Sequence, residues 1–178
     1  MVDFVTSDPH FGHQGVCEFL TDTGEKVRPW DNAEEMNEEL VRRHNSVVSN
    51  SDKVYYLGDI AFNKKNLSIL DRLNGKKVLI KGNHDQEKIQ EYLKYFYDVR
   101  GVHVYKKFLM SHIPIHPDSL GRFRGNIHGH LHTNRLLLPS GEIDTRYISA
   151  CVECTDFTPI SFEDLEQRFI NQKNQINS

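Results

Sequence analysis

Short apolar runs, each stopped by a polar cluster, set the rhythm of the first two thirds of the chain. Residues 2–7 alternate apolar and polar with β-branched side chains, residues 53–57 and 77–80 are apolar stretches ended by glycine, and residues 108–110 form another. These four are expected strands. Between them the apolar spacing lengthens to a helical period: Met36, Leu40, Val41 and His44 share one face of a helix expected from Asp31 as cap to Asn45, with Glu34 three residues after the cap. Further helices are expected over residues 66–73, from Asn83-His84-Asp85 through Leu93, and after Ser161, which stands three residues before Asp164 and ahead of Leu165 and Phe169. Strands alternating with helices imply a layered α/β arrangement. From Val99 onward the pattern is richer in β signals, at residues 102–105, 126–127, 135–138 and 147–152, with Pro139-Ser140-Gly141 as a turn, which predicts a second sheet.

Composition sharpens this picture without changing it. At 178 residues and 38% apolar content the chain suits one domain spanning 1–178, with neither repeats nor a linker-like stretch to divide it. Its 26% charged residues are balanced, and no apolar run approaches the ~20 residues that cross a bilayer. The N-terminal residues lack the basic and apolar regions of a secretory signal, so a cytoplasmic location is expected, with no membrane partner. A net charge of −3 argues against a broad basic face for nucleic acid. Three cysteines cannot close a disulfide framework, and Cys151-Val152-Glu153-Cys154, in a β-patterned stretch that would turn its thiols to opposite faces, reads as structural.

Ten histidines are the unusual feature. Asp8-Pro9-His10 follows the first apolar run, Gly58-Asp59 the second, Gly82-Asn83-His84-Asp85 the third, Ser111-His112 the fourth, and His128-Gly129-His130-Leu131-His132 the short run at 126–127. Open α/β sheets bind ligands beyond the carboxyl ends of their strands, so residues from 8 to 132 can meet at one rim. Pro9 should end its strand with Asp8 and His10 projecting into that crevice. Imidazole, carboxylate and carboxamide oxygen form a mixed ligand set suited to Mn²⁺, Fe, Zn²⁺ or Ni²⁺ rather than to calcium cages. The set is too large for one tetrahedral ion and reads as two ions sharing a carboxylate, with Asp59 as the bridge. Two divalent ions outweigh the carboxylates of Asp8 and Asp59 and give an acidic protein an anion-binding spot. Hydrolysis of a phosphate ester is the chemistry expected there. His44 and His103 read as packing or surface residues, and His128 faces the wrong way for a ligand beside His130. His116, Arg122 and Arg124, in the loop after His112, are within reach of a substrate phosphate in this reading. The aromatic group at Tyr92, Tyr95, Phe96 and Tyr97 is expected to pack in the core or at a helix end.

These five blocks, in this order and spacing, resemble the signature of the calcineurin-like metallophosphoesterases. More narrowly, Ser7-Asp8-Pro9-His10-Phe11-Gly12-His13 and Val152-Glu153-Cys154-Thr155-Asp156-Phe157-Thr158-Pro159-Ile160 look like the small single-domain phosphoesterases of bacteria and bacteriophages. The resemblance implies an α/β fold, a four-layer αββα sandwich of two facing mixed β-sheets flanked by helices. It implies that Asp8, His10 and His132 hold one metal, that Asn83, His112 and His130 hold the other, and that Asp59 bridges them. Mn²⁺ is the leading expectation, with Fe, Zn²⁺, Ni²⁺ or Mg²⁺ as alternatives. A hydroxide bridging the two ions would attack the ester of a nucleotide, cyclic nucleotide or nucleic-acid end, monoester or diester. His84 would protonate the leaving oxygen or stabilise the transition state, with Asp85 holding its ring nitrogen, and His13 would contact the scissile phosphate. A nuclease acting on long chains, an inactive scaffold of the same fold and a single structural zinc are the competing readings.

Overall fold

The computed structural model describes residues 1–176. In chain order its strands are β1 (Asp3–Thr6), β2 (Lys53–Tyr56), β3 (Lys76–Ile80), β4 (Asp98–Arg100), β5 (Val102–Tyr105), β6 (Phe108–Ser111), β7 (Gly125–His128), β8 (Tyr147–Ser149) and β9 (Ile160–Ser161), and its α-helices are α1 (Ala33–Val47), α2 (Ile89–Tyr92) and α3 (Phe162–Ile176). One sheet has the order β4-β3-β2-β1-β9, parallel except for the antiparallel edge strand β9, and the other has the order β5-β6-β7-β8, parallel except for β5. The chain thus forms an α/β fold with two mixed sheets.

The period of two along each strand builds two cores from one sheet. Phe4, Val54, Tyr56 and Leu79 point to one side, against Met36, Leu40 and Val41 of α1 and Leu67 and Leu70 of a 3₁₀ segment at Lys64–Arg72. Val5, Tyr55, Val78 and Ile80 point to the other side, where they meet Phe108, Met110, Ile127 and Ile148 of the second sheet. Phe162, Leu165 and Phe169 of α3 close that inter-sheet core. A thinner cluster of Leu109, Leu120 and Tyr147 covers the outer face of the second sheet under a 3₁₀ turn, Pro117–Leu120.

Several expected elements are shorter or differently made. The first helix is capped by Asn32, whose side chain accepts from the Glu35 amide at 2.8 Å, while Asp31 pairs with Lys26. The helix expected at 66–73 is 3₁₀, and that expected from Asn83 to Leu93 is reduced to Ile89–Tyr92. Asn83 to Asp85 stay in a loop because Asp85 spends its carboxylate on amides of another loop. The stretch at 135–138 pairs only through a Leu137–Ile143 bridge around the expected turn. The Ser161 cap of the last helix is as expected, with its hydroxyl accepting from the Asp164 amide at 3.0 Å.

His44, buried on the inner face of α1, approaches the Asn74 carbonyl at 3.0 Å through Nε2 and the Tyr56 hydroxyl at 3.3 Å through Nδ1. Burial pushes its pKa down to about 4, so the folded protein resists a proton that the unfolded chain accepts near 6.5. Stability is therefore full above 6.5 and falls as the pH drops toward 4, by up to about 3 kcal/mol from this residue. Urea denaturation should show that loss in the wild type and a correspondingly flatter profile in His44→Gln. Parallel profiles would contradict the assignment.

Candidate metal centre

Asp8 and His10 follow β1, Asp59 follows β2, Asn83 follows β3, His112 follows β6, and His130 and His132 follow β7. All five are parallel strands of their sheets, so their carboxyl ends share one rim. Asp8, His10 and His132 form one group that could hold a metal ion and Asp59, His112 and His130 a second, with the potential ligand atoms within each group inside 4.8 Å of one another. Each group draws on both sheets.

The backbone is bent to achieve this. Asp8 (φ 58°), His10 (φ 50°), Asp59 (φ 53°), His130 (φ 68°) and His132 (φ 50°) all occupy the left-handed region. Such a conformation costs a non-glycine residue of order 1 kcal/mol, and its concentration at five of the proposed ligands marks a site rather than ordinary turns. Two glycines let the β2 and β3 loops touch: a Cβ on Gly58 (φ +98°) would stand 2.6 Å from the Gly82 backbone, and one on Gly82 would stand 2.3 Å from Asp59 Oδ1.

Atom by atom the cluster sets buried carboxylates against imidazoles. Asp59 Oδ2 lies between two imidazoles, 3.8 Å from His10 Nε2 and 3.4 Å from His112 Nε2. Asp8 Oδ2 accepts from the Ser7 hydroxyl, from the His130 amide at 2.9 Å and from the Cys151 thiol at 3.3 Å. Asp8 Oδ1, 3.7 Å from His10 Nε2, is buried without a hydrogen-bond partner, and so is that nitrogen. His112 Nδ1 is 2.7 Å from the Leu57 carbonyl, which sets the proton there and leaves Nε2 facing Asn83 Oδ1 at 2.7 Å and Asp59 Oδ2. A lone pair aimed at two oxygens is repulsive unless a proton or cation stands between them. Burial works against charge on Asp8 and Asp59, yet the His10 and Ser7 contacts and the charge of His112 hold the Asp8 carboxyl below its usual range, and His112 with the His84 amide does the same for Asp59. Burial likewise depresses His112, and the bond and charge of Asp59, with the charge of Asp8, reverse this. Orphaned atoms, paired carboxylates and oriented imidazoles all fit two divalent cations.

Two residues that sequence reasoning missed tie this rim together. Arg28 is fully buried and donates through Nη2 to the Asp8 carbonyl at 2.7 Å and through Nη1 to the Pro9 carbonyl at 2.8 Å. It also binds Glu153 Oε1 through Nε at 2.9 Å and Nη2 at 2.6 Å. The same Oε1 lies 2.9 Å from His132 Nδ1, so one buried ion pair ties His132 to the Asp8–Pro9 backbone more than a hundred residues away in sequence. Glu153 stands inside the motif quoted above without a role, and Arg28 lies in a stretch with no periodic signal. Within the CxxC only Cys151 keeps β pairing, through a parallel bridge to Ser7; Val152–Cys154 is a 3₁₀ turn, and the Cys154 thiol faces the His132 carbonyl at 3.2 Å. Neither thiol is in a disulfide.

No family model matches the chain. It is 34% identical over 169 residues to the uncharacterized protein MJ1445 of Methanocaldococcus jannaschii, an alignment covering 90% of this chain and 86% of that protein. The chain belongs to the MJ1445 family. Among solved structures it is similar to the protein of unknown function AQ665 from Aquifex aeolicus, with a TM-score of 0.67, 28% identity, and coverage of 93% of this chain and 98% of that one.

In this member of the MJ1445 family the remaining expected site residues divide. His13 and His84 come to the centre, each with its ring centroid 5.8 Å from that of His10, and both line a cavity beside it. His84 is exposed and is anchored by its amide to Asp59 Oδ1 at 2.8 Å. His13 has committed Nδ1 to the Val16 amide at 3.1 Å, which caps a 3₁₀ turn. Asp85 does not hold the His84 ring. Its buried carboxylate accepts from the amides of Asp59 (2.9 Å), Ile60 (3.0 Å) and Gly82 (2.8 Å), and so fixes the two loops to each other. Arg124 is not at the site: it precedes β7, pairs with Glu166 of α3 and stacks over Phe108, at the end of the strand opposite His130. Arg122, on the same approach, lies over Phe123 at 5.2 Å and does not line the cavity either. His116 caps the Pro117–Leu120 turn, and His128 turns Nδ1 to the Gly129 carbonyl at 2.8 Å.

Proposed function

We propose that the chain is a dinuclear metal-dependent phosphoesterase, hydrolysing a phosphomonoester or phosphodiester. The observation that carries this reading is Asp59 Oδ2 between His10 and His112, with Asp8 Oδ1 and His10 Nε2 buried and unpartnered beside it. Asp8, His10 and His132 would hold one ion, Asn83, His112 and His130 the other, and Asp59 both. When bound, two such ions activate water near neutral pH and neutralise the charge that builds on phosphoryl oxygens. The mixed nitrogen and oxygen donors suit Mn²⁺, Fe, Zn²⁺ or Ni²⁺, with Mg²⁺ as a further alternative, and Mn²⁺ is the ion proposed first.

The chain's own contribution is placement. Arg28, Glu153 and Asp85 keep the ligand loops rigid, so little reorganisation remains when substrate arrives. His84 reaches over the rim from a loop pinned to Asp59 and presents its ring to the departing group, where it can supply a proton to the leaving oxygen or bind the negative charge there. Among the described residues no helix is long and apolar enough to cross a membrane.

Hydrolysis of an aryl phosphomonoester and an aryl phosphodiester with added Mn²⁺ tests the proposal. Wild type should turn over at least one, chelation should abolish it, and His84→Ala should lower kcat by about 10²–10⁴-fold with its metal content unchanged. A metal-replete protein inert toward both would favour a binding scaffold, and a steeply salt-dependent affinity for long nucleic acid would favour the nuclease.

A further inference from the structure

A row of five rings crosses the proposed centre. From Phe62 to His13 the centroids are 4.6 Å apart, from His13 to His10 5.8 Å, from His10 to His132 5.4 Å, and from His132 to Phe19 6.4 Å. The row has a ligand pair at its middle and a phenylalanine at each end. Both end rings are conspicuously open for their type, 48% exposed for Phe62 and 46% for Phe19.

A cavity lies at each end. One, of about 260 Å³, runs from His10 and His84 to Phe62, Asn63 and Gln86. The other, of about 520 Å³, runs from His130 and His132 to Phe19, Thr21 and Asn134. The two share no lining residue, and each begins at a proposed metal ligand. Neither lining includes a lysine or arginine, and each includes one carboxylate, Glu87 or Asp22.

Resting on the phosphoesterase reading, we propose that the substrate is a phosphodiester with an uncharged, ring-bearing group on each side of phosphorus, a compound of the size of a dinucleoside monophosphate, stacked on Phe62 at one end and Phe19 at the other. The scissile phosphate sits at the middle of the row, and its two ester arms leave in the two directions the cavities offer. A monoester has one arm and leaves a cavity unused. A cyclic nucleotide carries both ester oxygens on one nucleoside and likewise fills one side. A long nucleic acid would bring further phosphates against Glu87 and Asp22 with no lining cation to meet them. Asn63 and Gln86 on one side, and Thr21 and Asn134 on the other, supply neutral hydrogen-bonding groups of the kind that read ring edges. Hydrolysis adds water across one P–O bond: the hydroxyl goes to phosphorus, the proton to the departing oxygen, and the arm on that oxygen leaves as an alcohol.

The test compares bis(p-nitrophenyl) phosphate, methyl p-nitrophenyl phosphate and p-nitrophenyl phosphate on Mn²⁺-loaded wild type, Phe19→Ala and Phe62→Ala. Scoring each substrate as its variant-to-wild-type ratio of kcat/KM cancels its intrinsic reactivity. Both variants should lose about ten-fold with the two-ring diester, the scale of one aromatic stacking contact, whereas each single-ring ester should lose with only one of them. Calorimetry with a dinucleoside monophosphate on the EDTA-treated protein, where the ions that hydrolysis would need are withheld, should show weaker binding to both variants. Equal ratios across the three substrates, or unchanged binding, would overturn the two-armed diester and leave the phosphoesterase reading standing. Wild type inert toward all three would overturn both.

Discussion

Replacing Asp59 by asparagine is expected to lower phosphoesterase turnover on the order of a thousand-fold while lowering the thermal stability of the metal-free protein only modestly. The two effects have one cause. Asp59 Oδ2 stands within 3.8 Å of His10 Nε2 and 3.4 Å of His112 Nε2, while Oδ1 accepts from the His84 amide at 2.8 Å. Asparagine keeps the shape and the acceptor toward His84, and it presents an amide N–H₂ where the carboxylate faced the two imidazoles. Without metal, the fold loses only the net stabilisation of an ionised carboxylate that His112 and the His84 amide hold below its usual pKa. With metal, the shared anionic ligand is lost, and the several kcal/mol that a paired centre contributes to charge stabilisation go with it. Melting curves in EDTA and in Mn²⁺ should therefore both move down relative to wild type, by far more in Mn²⁺. Equal shifts under the two conditions would show that Asp59 only holds the fold.

Arg28→Met should cost about 3–5 kcal/mol of folding stability in urea denaturation, because Glu153 is left buried with its charge uncompensated. Arg28 and Glu153 are 0% and 2% exposed in their side chains, and Arg28 also holds the Asp8 and Pro9 carbonyls. Adding Glu153→Gln removes the stranded charge, and much of the stability should return, since exchanging both members of a buried pair is often close to neutral. Metal affinity should not return with it. His132 has lost the carboxylate that orients its Nδ1 proton and the Asp8 loop has lost its clamp, changes that typically weaken metal binding 10–100-fold. A double variant with both stability and affinity restored would mean that the pair is no more than packing.

What the sequence disclosed, and what it withheld, follows from the range over which each signal acts. Asp8, His10, Asp59, Asn83, His112, His130 and His132 were legible because each directly follows an apolar run, and parallel strands bring such positions to one rim. The two sheets were legible from alternation, with Val5 and Tyr55 on one side and Phe4 and Val54 on the other. Arg28 and Glu153 lie 125 residues apart, and no local pattern announces that two charged side chains will meet in the interior. The sequence points Asp85 to His84, which is its neighbour only along the chain, whereas the amides of Asp59 and Ile60 are the groups its carboxylate faces. Arg122 and Arg124 follow His112 in sequence, yet β6 and β7 are parallel, so the connection must run back to the start of β7 and carry both away from the rim. The first helix began one residue later than expected because two adjacent residues, Asp31 and Asn32, were both capable of capping it, and Lys26 engages the first.

The central claim is that the rim gathers two cations around Asp59. Anomalous diffraction at the manganese edge from crystals of the Mn²⁺-loaded protein addresses it without reference to any substrate. The account predicts two peaks ~3.5–4 Å apart, one against Asp8, His10 and His132 and the other against Asn83, His112 and His130, with Asp59 reaching both. A single peak, or none at this rim from fully loaded protein, would contradict it.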